Sequence, residues 1–68
     1  MDLHGVLHED VPEAVHRFIN DHWAPGWRLH IITGQSDRMR SIVRSVVMMY
    51  DVEIEHDPWN SGEIVVMT

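Results

Sequence analysis

Arg28-Leu29-His30-Ile31-Ile32-Thr33-Gly34-Gln35-Ser36 reads as a strand that runs through a glycine turn into a helix, and this reading decides the fold. Leu29, Ile31 and Ile32 make the segment from Arg28 to Thr33 apolar on both sides toward its end, which is the pattern of a central strand. After it, Met39, Ile42, Val43, Val46, Val47 and Tyr50 recur at helical spacing over three turns and form the expected core face of a second helix. Arg40 and Arg44, four residues apart, are neighbours on one flank of that helix, and Arg38 projects from its first turn. Met48 points to the polar side, as a candidate subunit contact or as an ordinary exposed apolar residue.

Further along, Val52-Glu53-Ile54-Glu55-His56 alternates and predicts a strand with one wet face. The turn-rich Asp57-Pro58-Trp59-Asn60-Ser61-Gly62 then leads to a last strand, Glu63 to Thr68, and the two strands form an antiparallel hairpin. Before the opening stretch, Met1 to about Val6 reads as a short first strand. Alternation turns Leu3 inward there and leaves Asp2 and His4 on the other face, about 7 Å apart. Asp10-Val11-Pro12-Glu13 starts the first helix, with Asp10 as its cap, Pro12 in its first turn and Glu13 at capping-box spacing. Val11, Ala14, Val15, Phe18 and Ile19 share one arc of this helix, with His16 at its edge. His22, within the arc near the end, is a capping or packing residue. Trp23-Ala24-Pro25-Gly26-Trp27 stops the helix, and its two tryptophans can stack bases or a sugar or, as expected, seal the open end of the core.

The sum is one α/β (α+β) domain over residues 1–68, a two-layer sandwich of βαβαββ order. Right-handed crossovers give a four-stranded mixed sheet with two helices on one face. A chain of 68 residues buries only about 60% of its unfolded surface, so a homo-oligomer is one way for it to gain burial. The lack of cysteine removes a disulfide framework and a thiolate zinc site. No apolar run approaches the roughly 18 residues of a membrane span, and no basic start with an apolar stretch suggests a signal peptide. The expectation is a cytoplasmic protein without a membrane partner.

A net charge of −6 argues against a grip on nucleic acid by bulk electrostatics. The charge is uneven, however. All five basic residues are arginine, and Arg38, Arg40 and Arg44 lie close together, while Asp51, Glu53, Glu55, Asp57 and Glu63 form a stretch without Lys or Arg. Arginine without lysine suits bidentate recognition of phosphate or carboxylate, and it also suits a plain charged helix surface.

Two motifs carry candidate chemistry. In Asp2-Leu3-His4-Gly5 a carboxylate can orient an imidazole that takes and gives a proton near neutral pH, or both can be ordinary polar residues of an edge strand. Thr33-Gly34-Gln35-Ser36 lies at the carboxyl end of a strand and the amino end of a helix, where free N–H groups and the helix dipole suit an anion. Alternatively, Gly34 serves the turn and Ser36 caps the helix. His4 and His30 would lie side by side if their strands neighbour and face alike. The six histidines are scattered without compact ligand spacing, which weighs against a metal-binding protein.

In this order and spacing, the two motifs, the arginine-bearing helix and the final hairpin resemble the small MutS-related (Smr) domain family over essentially the whole chain. The resemblance implies a fold similar to the C-terminal domain of translation initiation factor three, and an endonuclease that nicks DNA or cleaves RNA. Asp2 and His4 match the family's Asp-x-His-Gly motif, and Gly34 matches the first glycine of its Gly-x-Gly motif. Ser36 stands at the second glycine's place, followed by Asp37. On this resemblance Asp2 and His4 would be catalytic, and Gly34, Gln35, Ser36, Arg38, Arg40 and Arg44 would hold the phosphodiester backbone. On RNA, His4 would deprotonate the 2′-hydroxyl and no cofactor is required; on DNA, a divalent cation (Mg or Mn) on Asp2 would supply the nucleophilic water. The alternative is a non-catalytic nucleic-acid-binding or protein-interaction module of the same fold.

Overall fold

Apolar side chains at helical spacing nucleate two helices, α1 (Val11–Asp21) and α2 (Asp37–Val47), in the computed structural model, which describes residues 1–55 and 62–68. The expected strand end at His56 and the loop residues Asp57 to Ser61 lie outside the described residues. Strands β1 (Arg28–Ile32), β2 (Glu53–Glu55) and β3 (Glu63–Met67) complete the fold. Val11, Val15 and Ile19 of α1 and Met39, Val43, Val46 and Val47 of α2 are buried. They share one core with Leu3, Leu29, Ile31, Ile64 and Val66, so both helices cover the same sheet face. Ala14, Phe18, Ile42, Tyr50 and Ile54 pack on its margin.

The sheet differs from the expected one. Among the described residues it has three strands in the order β1-β3-β2, all antiparallel, and the hairpin of β2 and β3 is as the alternation predicts. The segment from Met1 to Val6 is not a strand but an isolated parallel bridge between Asp2 and Ile32. Leu3 N–H donates to the Ile32 carbonyl at 2.9 Å, and Ile32 N–H donates to the Met1 carbonyl at 2.8 Å. The chain then leaves: Gly5 has φ 79°, and Val6 N–H closes a turn on the Leu3 carbonyl. A ladder needs successive extended pairs, and this turn allows only one, so the four-stranded mixed sheet of βαβαββ order is replaced by three strands and a bridge.

The central strand is β3, not β1. It is paired on both edges, and Ile64, Val65 and Val66 are all buried. On β1, Leu29 and Ile31 face the helices while Arg28, His30 and Ile32 face outward, Ile32 with 44% exposure. Helices on one side only make an apolar pair such as Ile31-Ile32 split between core and surface.

Local start and stop signals fare unevenly. Asp10 makes no side-chain cap bond, because a turn of 3-10 helix (His8–Asp10) runs straight into α1 and holds Asp10 in a helical conformation. Trp23 and Trp27 do not seal the core. They are 48% and 59% exposed, and Trp23 stands 6.2 Å from the Tyr50 ring. Met48 is exposed, as its position on the polar side of α2 predicts.

Candidate functional site

The parallel bridge between Asp2 and Ile32 brings both sequence motifs to one end of the sheet. From that bridged pair the two chains continue in the same direction, one into His4-Gly5 and the other into Thr33-Gly34.

The local bonds, however, engage most of the expected reactive groups. Asp2 Oδ1 accepts the backbone N–H of His4 at 2.8 Å, so this carboxylate oxygen closes a turn onto the main chain. Asp and Asn favour such local bonding wherever a turn offers an amide two residues on. Both Asp2 and His4 are exposed. At the second motif Gly34 has φ 70°, which an L side chain rarely adopts, and its N–H donates to the Gly62 carbonyl at 3.0 Å. Thr33 N–H donates to the same carbonyl at 2.8 Å, and the buried Thr33 hydroxyl lies 3.2 Å from it. Ser36 Oγ accepts Met39 N–H at 3.1 Å, the bond of an ordinary N-cap. Of the two readings of this stretch, the turn glycine with a capping serine accounts for these bonds. Gln35 is exposed, its Nε2 close to Gly62.

Gly62 is the residue that sequence reasoning missed here. Its carbonyl accepts both the Thr33 and the Gly34 N–H and so ties the two turns together, while a Cβ on it would lie in ordinary contact at 3.5 Å from Gly34. Its place at the end of the turn-rich segment was the only signal.

The three arginines of α2 divide between two surfaces. Arg38 lines a groove with Val6, Leu7, His8 and Glu9. Arg40 and Arg44 line an open concavity with Asp37, Ser41, Ser45 and Met48. At about 100° per residue, position 38 lies about 160° from 40 and about 120° from 44 around the helix, whereas 40 and 44 are only about 40° apart. Arg40 is half-buried and pairs with the exposed Asp37. Ser45 Oγ donates to the Ser41 carbonyl at 2.9 Å. Two guanidinium groups and one carboxylate are among the groups that line this concavity.

The histidines separate as well. The bridge pairs Asp2 with Ile32, and the Met1 amino group donates to the His30 carbonyl at 2.6 Å, so His30 is level with the start of the chain and the two imidazoles are not side by side. His30 Nδ1 sits 2.5 Å from Glu63 Oε1 on the open sheet face. His16 Nδ1 bonds the Tyr50 hydroxyl at 2.7 Å, and Asn20 Nδ2 donates to that hydroxyl at 3.2 Å, joining α1 to the segment after α2. His22 Nδ1 lies 2.9 Å from the Phe18 carbonyl, a capping position as its place in the helix predicts.

Among the described residues no three His, Asp or Glu side chains converge as a metal site, and one Asp2 oxygen already serves the His4 amide. No helix of the described residues is long and apolar enough to cross a membrane.

Comparison of the chain with protein-family models, curated proteins and solved structures finds no match. What the fold and site define is therefore a class, a small α+β protein with two helices on one face of a three-stranded antiparallel sheet.

Proposed function

We propose that this protein is a non-catalytic module that binds the phosphodiester backbone of a nucleic acid, DNA or RNA, on the Arg40–Arg44 flank of α2. The observation that carries this reading is the shared concavity of Arg40 and Arg44, where two guanidinium forks stand beside the Ser41 and Ser45 side chains. Planar forks match phosphate oxygens, and the Ser41 hydroxyl can donate to them. The non-catalytic reading draws support from the Asp2 carboxylate, one oxygen of which is turned onto the His4 backbone amide.

With two arginines in contact, the logarithm of affinity should fall with the logarithm of salt at a slope of about −1 to −2. Fluorescence anisotropy of labelled single-stranded RNA and double-stranded DNA across a salt series measures it. Arg44→Ala should weaken binding at low salt, and Arg38→Ala, on the other flank, should leave it unchanged. Equal effects of the two substitutions, or no binding at low salt, would refute the assignment.

A second reading, an RNA-cleaving domain of the Smr type, draws support from the placement of both motifs at one end of the sheet. His4 would be its general base or acid. Cleavage by the parent protein and not by His4→Ala, under the same binding conditions, would favour it over the first.

A further inference from the structure

The sheet face opposite the helices is a grid fixed by the strand register. Arg28, Met67 and Glu53 form one row across β1, β3 and β2; His30, Val65 and Glu55 form the next; Ile32 and Glu63 follow. No described helix or strand covers this face, since both helices pack on the other side. Its centre is apolar, its β1 column carries the Arg28 guanidinium and the His30 imidazole, and its β2 column is acidic in the same two rows. Arg28 and His30 keep side-chain exposures of 63% and 58%. Arg28 reaches over β3 to Glu55 at 3.7 Å, and Val65, in the row of Glu55, is only 9% exposed.

We propose that this face is the interface of a homodimer, in which two copies pack sheet against sheet about a twofold axis running along β3. A rotation about that axis exchanges the outer columns and keeps each row at its level. Arg28 of one copy then stands over Glu53 of the second copy, and His30 over Glu55, each pairing occurring twice by symmetry. Val65 and Met67 meet their own equivalents on the axis, as an isologous interface requires. A twofold axis across the strands would instead stack β1 on β1 and β2 on β2, setting His30 against His30 and the acidic column against itself. Charge complementarity selects the first axis.

The internal Arg28–Glu55 pair does not oppose this arrangement. It is long and solvent-exposed, so exchanging it for pairs across the axis costs little. Glu63 meets its own equivalent at the end of the face, where each carboxylate is already held by its own copy's His30. The usual crossing of about 30° between packed sheets separates the ends of the face more than its middle.

Size sets the strength. Two strands of five residues and one of three, at about 4.8 Å between strands and about 3.4 Å per residue, fit within a patch of roughly 14 by 17 Å. With side-chain relief, two such patches bury on the order of 1,000 Å², below the standard range, so the dimer is weak and exchanges with monomer in the micromolar range or above. The electrostatic part makes it weaker still at high salt.

Sedimentation equilibrium of the full chain at low salt, from micromolar to millimolar concentration, tests the proposal. Arg28→Glu and Glu53→Arg each place like charges across the axis and should be monomeric, their folding checked by circular dichroism. An equimolar mixture should dimerise again, because the carboxylate introduced at position 28 of one variant then faces the guanidinium introduced at position 53 of the other, while the native Arg28 and Glu53 still pair. A parent protein that stays monomeric throughout would overturn the proposal. So would a parent dimer insensitive to either substitution, or single variants whose mixture fails to recover association.

Discussion

Ile31 and Ile32 are adjacent and chemically identical, yet the sheet gives them opposite fates, and truncating each to alanine measures how firmly that choice is made. Ile31 is fully buried among the helices, whereas Ile32 is 44% exposed on the open face. Truncating a fully buried isoleucine costs about 2–5 kcal/mol, lost transfer energy plus the cavity left behind. Ile32→Ala removes three carbons worth about 0.8 kcal/mol each when buried, and with a little over half of the residue covered and no enclosed cavity the loss is about 1.3 kcal/mol. A domain of this length holds about 3–10 kcal/mol in all, so Ile31→Ala removes a large share of it and can leave the chain partly unfolded at room temperature. For a domain of this size each kcal/mol corresponds to about 4–8 °C in Tm. The expected fall is about 5–10 °C for Ile32→Ala and about 1.5 to 4 times that for Ile31→Ala. Urea denaturation followed by far-UV circular dichroism, at a concentration low enough to keep the chain monomeric, separates the two, and an unchanged m-value confirms that only stability moved. Equal losses, or a larger loss at Ile32, would mean that the register of β1 against β3 is wrong by one residue.

Two further substitutions address the second motif. Gly34→Ala meets no steric obstacle, since nothing lies within 4 Å of the added Cβ, but it must adopt φ 70°; the strain alone should cost about 1–2 kcal/mol, read as a fall in Tm, and an unchanged Tm would show that the turn relaxes. Ser36→Ala removes the cap on Met39 N–H and should cost about 1 kcal/mol of stability while leaving nucleic-acid affinity unchanged; a loss of affinity without loss of stability would return this hydroxyl to the binding site.

Much of this molecule was legible along the chain. The spacing of Val11, Val15 and Ile19, and of Met39, Val43, Val46 and Val47, specified two one-sided helices, and the alternation around Ile54 specified a hairpin strand. Ser36 announced a helix start, and the lack of cysteine removed thiol chemistry. These are properties of near neighbours, and a residue three or four positions away is fixed by the helix itself.

The rest was settled across space. That Asp2 bridges Ile32 once and then turns, that β3 and not β1 is central, and that Ile31 rather than Ile32 enters the core all follow from where the helices lie. The candidate site shows the same division. Sequence named Asp2, His4, Gly34, Ser36 and the arginines, but only the tertiary structure assigned the Asp2 carboxylate to an amide, tied Gly34 to the distant Gly62 carbonyl, and split Arg38 from Arg40 and Arg44. A polar group bonds whichever partner the fold brings within about 3 Å, and that partner is set by the packing of the whole core rather than by its own neighbours in the chain.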